Sequence, residues 1–272
     1  MANLTAIEQP PATPTLNPAR GLAQLIGASA WWTGSIFLSV GRLDWMRGWI
    51  SVVLWVTGMT TIGVVGYRFN PAVMNARAQR HRKDTKHFDK AFWAIYSPLV
   101  FIQPAVAGLD VERFGWSSMP LGLAYPGAIA FVLGIVLIAW VLRVNPFAEA
   151  TVRIQRDRGH TVVISGPYRF VRHPMYIGAF LMYLGMPLVL GSVGALTLGA
   201  AIVALMIWRT SREDLTLRQE LPGYARKGLG QLLQVHGSSL RGFECNGDGA
   251  TTIAAHLRLP HLSAIPNPSA TR

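Results

Sequence analysis

The stretch Gly166-Pro-Tyr-Arg-Phe-Val-Arg-His-Pro-Met-Tyr-Ile-Gly178 lies between two apolar runs of membrane length. It holds two arginines, one histidine and two tyrosines. A bilayer offers no water to such groups, so ionisable side chains at its boundary snorkel, pair or line a site that uses them. The stretch is therefore the first candidate for chemistry in this chain, and the runs on either side of it are candidate membrane helices.

The composition is that of a membrane protein with several spans. Of 272 residues, 51% are hydrophobic and 14% charged, whereas a soluble domain carries about 25% charged residues. Charged residues or prolines bound five apolar runs, at 21–41, 49–67, 91–107, 122–142 and 175–208. A spanning helix needs roughly 20 apolar residues, so we divide the last run at Gly191-Ser192 into a tight hairpin. The prediction is an all-α integral membrane fold with about six transmembrane helices.

The net charge of +12 is distributed unevenly over the loops. Residues 68–90 hold seven Lys or Arg and residues 143–174 hold six, whereas 42–48 hold two and 108–121 hold one. Because basic loops remain in the cytoplasm, this pattern predicts an inner-membrane protein with both termini and both basic loops on the cytoplasmic side. A nucleic-acid patch would also be basic, but no nucleic-acid fold signature accompanies the charge, so we expect no nucleic-acid partner.

The ends of the chain differ in character from the centre. Segment 1–19 contains four prolines and no Lys or Arg, and we expect a mobile lead-in. Residues 225–272 show no sustained periodicity, which predicts a disordered or loosely attached tail. The multi-span domain is assigned to 20–224. With the single cysteine Cys245 and no histidine pair at metal-ligand spacing, we expect no metal.

Two polar segments are predicted to meet where the final hairpin begins and ends. Asn145-Pro146 should end the fourth helix, and β-branched residues 162–164 predict a short extended piece within a loop that caps the membrane mouth. Since a hairpin returns the chain to the side it left, segments 168–176 and 209–214 should face each other. Arg209 and Glu213 share a helix face at i,i+4 spacing; by themselves they would also suit a surface ion pair.

These residues match a known pattern. Arg-His-Pro-x-Tyr-x-Gly at 172–178, followed by Arg-x-x-x-Glu-Asp at 209–214 and Leu-Pro-Gly-Tyr at 221–224, resembles the isoprenylcysteine carboxyl methyltransferase and phospholipid methyltransferase superfamily. The resemblance covers about 145–224. Some sterol reductases share a similar C-terminal pattern, so the resemblance determines the scaffold better than the reaction. Relatives commonly have a second glutamate where this chain has Asp214.

The resemblance implies an integral-membrane enzyme that uses S-adenosylmethionine, with the cofactor-binding core at 145–224 and a lipid-linked acceptor that enters from the bilayer. Arg209 is the implied catalytic residue, because it would hold the acceptor. The residues implied to contact the cofactor are Gln155, His160, Thr161, Val162, Val163, Tyr168, His173, Pro174, Met175, Tyr176 and Glu213.

The residue types suit methyl transfer, which needs alignment of two reactants and exclusion of water. A carboxylate acceptor is already ionised, and Arg209 can orient it with a two-pronged hydrogen bond. A phospholipid amine acceptor is the alternative, and it would need a base such as His173 or Asp214. A non-catalytic scaffold or small transporter would also explain the spans and basic loops. The acceptor and the oligomeric state remain open at this point.

Overall fold

The computed structural model describes residues 18–77 and 85–224. The predicted lead-in, up to residue 17, and the predicted tail at 225–272 lie outside these ranges. The first helix already begins at Pro18, inside the segment expected to be mobile.

Six long helices and one short helix form the described part of the chain, which contains no β-strand. The long helices are α1 (Pro18–Val40), α2 (Met46–Phe69), α4 (His87–Gly108), α5 (Ala124–Val144), α6 (Pro174–Leu190) and α7 (Val193–Glu220). The short helix α3 (Pro71–Arg77) follows α2, a π-helical turn (Leu109–Arg113) extends α4, and a 3-10 turn (Leu121–Leu123) precedes α5. The predicted all-α class is confirmed.

Within residues 18–77 and 85–224, four segments are long and apolar enough to cross a membrane: Met46–Phe69, His87–Arg113, Leu121–Val144 and Val193–Glu220. Helix α6, with 17 residues, is apolar but shorter. A membrane fold follows from these segments, while the number of six spans stays a prediction.

Glycines allow α5 and α6 to pack closely. A Cβ atom on Gly134 would lie 2.5 Å from the carbonyl oxygen of Gly178, and one on Gly185 would lie 2.6 Å from the carbonyl oxygen of Gly127. Such distances are far inside van der Waals contact, so larger residues at these positions would separate the helices. Small residues at helix interfaces are the usual means by which membrane helices approach each other.

The α6–α7 hairpin turns at the predicted position. Gly191 has a φ of +81°, which favours glycine, and Ser192 accepts a hydrogen bond from the Ala195 backbone N–H at 2.9 Å as the N-cap of α7. Helix α7 ends at Glu220, with Leu221 as its C-cap directly before Pro222-Gly223, the dipeptide that the sequence offers as a helix stop. Both ends of α7 therefore follow from local sequence signals.

The α5–α6 loop, residues 145–173, contains only two 3-10 turns, Arg156–Arg158 and Gly166–Arg169. Asn145 ends α5 as predicted; its side chain accepts from the Phe147 N–H at 2.8 Å and donates to the Tyr168 hydroxyl at 2.5 Å. The residues at 162–164 are outside any helix, as expected, but they pair with no strand among the described residues. The loop is thus held by side chains and turns.

Candidate functional site

A cavity of about 380 Å³ opens among the helices and the α5–α6 loop. Its lining includes Arg209 and ten of the eleven residues implied to contact a cofactor. These ten are Gln155, His160, Thr161, Val162, Val163, Tyr168, His173, Met175, Tyr176 and Glu213. Pro174 is the exception: it is buried as the first residue of α6 and does not line the cavity. Its role is to begin the helix directly after His173.

The two predicted segments meet in this cavity. The Tyr176 hydroxyl donates to the Glu213 carboxylate and accepts from Nη1 of Arg209, the latter at 2.7 Å. Tyr176 is on α6 and the other two residues are on α7, so the hydrogen-bonded chain joins the two helices of the hairpin. The predicted meeting of segments 168–176 and 209–214 is confirmed.

Asp89 holds Arg209 in place, and sequence reasoning missed it. Its side chain has 0% exposure at the start of α4; one oxygen accepts from Nε of Arg209 at 2.7 Å and the other from the Val152 backbone N–H at 3.0 Å. Asp89 therefore ties α4, α7 and the α5–α6 loop together. The sequence did show that Asp89 is an acidic residue in the first turn of an apolar helix. An acid at that position is also expected without any site, because it interacts favourably with the helix dipole.

Most of the hydrogen-bond donors of Arg209 are already paired inside the protein. Besides Asp89 and Tyr176, the carbonyl oxygen of Ala150 accepts from its Nη2 at 2.7 Å, and its guanidinium lies 4.6 Å from the Phe92 ring centre. These three bonds use three of the five N–H groups of a guanidinium. Both atoms of its side edge, Nε and Nη2, are engaged, so the expected two-pronged grip on an acceptor is not available along that edge.

Glu213 and Asp214 point to different surroundings although they are neighbours. Glu213 lines the cavity. Asp214 does not line it; it accepts from the Tyr224 hydroxyl at 2.8 Å, from Nε of Arg218 at 2.6 Å, and lies 3.3 Å from Nε2 of His173. Successive residues on an α-helix are about 100° apart, which separates the two carboxylates. Asp214 thus contacts two lining residues, His173 and Tyr224, from outside the cavity, and Glu213 is part of its lining.

Tyr224, which lines the cavity beyond the end of α7, is a second residue that sequence reasoning did not assign to the site. Its hydroxyl lies 3.2 Å from Nε2 of His173, and burial together with the Asp214 carboxylate raises the pKa of Tyr224. Its phenol therefore remains protonated, and its single O–H is donated to Asp214.

Gln155 and His160 form the loop side of the cavity. Gln155 is 1% exposed, and its amide donates to the Phe147 carbonyl oxygen at 2.8 Å. The His160 ring lies 4.6 Å from the Phe147 ring, and its Nδ1 is 3.4 Å from the Gln155 backbone nitrogen. Burial and the nearby Arg153 charge lower the pKa of His160 below 6.5. A neutral imidazole on a buried loop is therefore the state at neutral pH.

Tyr168 also lines the cavity. Burial raises the pKa of Tyr168 to about 12. Its phenol is neutral at physiological pH and contributes an aromatic surface with one hydroxyl.

Away from the loop, the cavity is mainly apolar. Its lining among the helices includes Trp32, Trp55, Met59, Phe131, Met182 and Met186, with Gln103, Tyr96 and Tyr183 as polar members. The loop part therefore offers a carboxylate, a guanidinium and tyrosines, while the part among the helices offers mostly hydrophobic contact. Pockets with this division hold ligands that have a polar and an apolar part.

Comparison with known proteins agrees with this arrangement. Residues 123–221 match the sequence model of the phospholipid methyltransferase family. This segment is therefore similar to the phospholipid methyltransferase family. The matched segment contains the loop, α6, Arg209 and Glu213, whereas Asp89 and Tyr224 lie outside it.

A curated relative supports the same assignment. Over 93 residues the chain is 27% identical to a protein-S-isoprenylcysteine O-methyltransferase of Schizosaccharomyces pombe. The alignment covers 32% of this chain and 38% of that protein, so the chain spans well under half the length of the relative. No solved structure matches the chain significantly.

Proposed function

We propose that this protein is an S-adenosylmethionine-dependent methyltransferase that esterifies a carboxylate on a lipid-linked or membrane-partitioned small acceptor. The observation that carries the proposal is one cavity whose lining combines Glu213 and Arg209 with a mainly apolar part among the helices. Such a cavity suits a polar methyl donor beside the loop and an apolar acceptor chain among the helices.

The loop end fits the methyl donor by its chemistry. The residues proposed to hold S-adenosylmethionine are Gln155, His160, Thr161, Val162, Val163, Tyr168, His173, Met175, Tyr176 and Glu213, with Pro174 supporting their turn. The donor supplies a methyl group on a sulfonium. A carboxylate and tyrosine faces favour its positive charge, and the neutral, buried His160 adds no opposing charge.

The reaction needs no covalent bond between the protein and either reactant. An acceptor carboxylate oxygen forms a bond to the methyl carbon as the carbon–sulfur bond breaks, and the sulfur leaves as a neutral thioether. No proton is transferred. The chain must align the reactants and exclude water, and the N–H groups of Arg209 not used by Asp89, Tyr176 and Ala150 can contact the acceptor.

An amine acceptor is the second candidate, and the description of the matched family as phospholipid methyltransferases favours it. An amine must lose a proton, so it needs a base. Of the two expected bases, His173 lines the cavity, while Asp214 does not and is engaged by Tyr224 and Arg218. An amine reaction in this cavity would therefore depend on His173.

One product analysis separates the candidates. The purified full-length protein is incubated with methyl-labelled S-adenosylmethionine and extracted membrane lipids. We expect labelled lipid from which mild base releases the label as volatile methanol, as from a methyl ester. Label that stays non-volatile after mild base would support the amine reaction, and absence of label in any lipid would contradict both.

A non-catalytic scaffold or transporter makes a different prediction for ligand binding. We expect S-adenosylhomocysteine to bind the purified protein in calorimetry, because the polar end of the cavity is already formed. Absence of binding at millimolar ligand would favour the non-catalytic alternative.

We also propose that the protein lies in the inner membrane with its termini and the loop 145–173 on the cytoplasmic side, where the methyl donor is available. The basic residues of the loop support this orientation. Reporter fusions after residue 224 and within 114–120 test it, with cytoplasmic activity expected from the first only.

A further inference from the structure

Arg77, at the end of α3, presents an unpaired guanidinium edge to the same cavity. Its Nη1 donates to the Ala148 carbonyl oxygen at 2.9 Å and lies 3.5 Å from the Met175 sulfur. Its Nε and Nη2 make no hydrogen bond to residues 18–77 or 85–224. One side of the guanidinium is therefore anchored to the loop, and the other side is open.

Arg77 also lacks the counter-charge that the other cavity arginines have. Arg209 pairs with Asp89, Arg153 with Glu149, and Arg172 with Asp214. Within the described ranges, no carboxylate lies within ion-pair distance of Arg77. Burial and the proximity of Arg209 lower its pKa, though an arginine stays charged. Among the described residues, Arg77 is thus a cavity cation that no adjacent acid neutralises.

The open edge has the geometry that binds a carboxylate. Nε–H and one Nη2–H of a guanidinium are parallel and match the two oxygens of a carboxylate, which gives a bidentate, charge-assisted pair. In Arg209 the same two atoms are occupied by Asp89 and by the Ala150 carbonyl oxygen. Of these two arginines, the one with a free fork is Arg77.

We propose that Arg77 is a carboxylate-binding residue of this cavity and takes the ligand carboxylate through Nε and Nη2. The inference rests on the proposed methyltransferase function only for the identity of the ligand. Two ligands of that reaction carry a carboxylate, the amino-acid end of the methyl donor and the proposed acceptor. Arg77 lies outside the family-matched segment 123–221, so this feature is not part of that likeness.

Paired probes that differ only by the carboxylate test the proposal in the full-length protein in detergent. The donor pair is S-adenosylhomocysteine and its decarboxylated analogue. The acceptor pair is dodecanoate and 1-dodecanol. Dissociation constants are measured by calorimetry for the wild type, Arg77→Gln and Arg77→Lys. Arg143→Gln is the matched control, because Arg143 is exposed, lies at the end of α5 and does not line the cavity.

We expect the wild type and Arg143→Gln to prefer the carboxylate member of one pair by about ten- to a hundredfold, as a charged hydrogen-bonded pair provides. Arg77→Gln should remove that preference, and Arg77→Lys should keep part of it because the charge remains without the fork. If the carboxylate preference is lost in the donor pair, the carboxylate of the methyl donor is the ligand of Arg77. If it is lost in the acceptor pair, the acceptor carboxylate is the ligand.

Two results would overturn the proposal: a carboxylate preference that persists in Arg77→Gln, or no preference in the wild type for either pair. If Arg77→Gln fails to fold, as judged by its melting temperature, the comparison with Arg77→Lys decides, and an undiminished preference there counts against the bidentate fork. Failure of the wild type to bind either donor probe contradicts the proposed function, while the dodecanoate arm still decides on Arg77.

Discussion

Two buried aspartates lie at opposite ends of the α4 segment His87–Arg113, and both contact the final helix, but they do different work. Asp110 is 3% exposed and accepts only from neutral donors: the Ser117 hydroxyl, the Ser192 hydroxyl at 2.6 Å and the Gly194 N–H at 2.9 Å. It extends the N-cap of α7. Asp89 instead pairs with the Arg209 guanidinium and with the loop that walls the cavity.

The comparison teaches that burial of a carboxylate does not by itself mark a site. A helix N-terminus supplies N–H donors and a favourable dipole, which satisfy Asp110, a residue that does not line the cavity. Asp89 needs a charged partner, and that partner lines the cavity. The consequence for experiment is that changes at the Asp89 end should affect both fold and ligand binding, whereas changes at the Asp110 end should affect the fold alone.

The largest effect is expected from Asp89→Ala. The change leaves the Arg209 guanidinium buried without its counter-ion and frees the Val152 N–H, and loss of one partner of a buried pair costs about 3–5 kcal/mol. We expect a strongly lowered melting temperature and loss of S-adenosylhomocysteine binding, measured on the same preparation. Normal binding and stability would show that Asp89 is not a positioning residue.

A double variant separates the two roles of Asp89. Asp89→Leu with Arg209→Met removes both charges and fills the space, which often restores stability. We expect recovery of the melting temperature without recovery of methyl transfer. Recovery of both would mean that the pair serves only the fold.

Asp110→Ala is the counterpart at the other end. It leaves the Ser192 hydroxyl and the Gly194 N–H without this acceptor, at a cost of about 1–3 kcal/mol for unsatisfied buried groups. The melting temperature should fall while the affinity of the folded protein for S-adenosylhomocysteine remains that of the wild type. A reduced affinity in protein that is still folded would remove the distinction between the two aspartates.

Within the site end, Glu213→Gln and Asp214→Asn form a matched pair. Glu213 faces the cavity, so removal of its charge should weaken S-adenosylhomocysteine binding by about tenfold, the equivalent of one charge-assisted hydrogen bond. Asp214→Asn removes an equal charge outside the cavity lining and should change the affinity little. Calorimetry with both variants at one pH checks this, and equal losses would contradict the assignment.

The smallest expected effect is a pH dependence from His160. Because burial and Arg153 lower its pKa below 6.5, the folded state binds fewer protons than the unfolded state below that pH. Stability should therefore decrease as the pH falls from 6.5 towards the lowered pKa. Melting temperatures of the wild type and His160→Gln from pH 8 to 5 measure this, and the additional acid loss should be absent from the variant.

Local signals in the sequence were sufficient for the end of α5 and for the α6–α7 hairpin. Asn145-Pro146 cannot continue a helix, and Gly191 adopts a φ that other residues avoid. The return of the chain at Gly191 also brought Tyr176 to Glu213 by topology alone. These features depend on neighbours in the chain, so the pattern of residues predicts them.

Long-range pairs were not predictable in this way. Asp89 and Arg209 are 120 residues apart and Arg77 and Met175 are 98 apart, and no spacing rule connects them. The sequence suggested that Arg209 offers a two-pronged grip, because nothing in it showed that Asp89 and Ala150 occupy that edge. Similarly, adjacent acids at 213 and 214 appeared equivalent until the helix orientation separated them.

By itself, the sequence determined that this is an all-helical membrane protein whose segments 168–176 and 209–214 meet, because hydrophobic length and local turn residues dictate helices and their ends. Only the tertiary structure decided which guanidinium is bound by a buried carboxylate and which has an open edge. The physical reason is that the hydrogen-bond donors a side chain has left unpaired depend on every neighbour packed against it. Those neighbours come from helices that are remote in the chain.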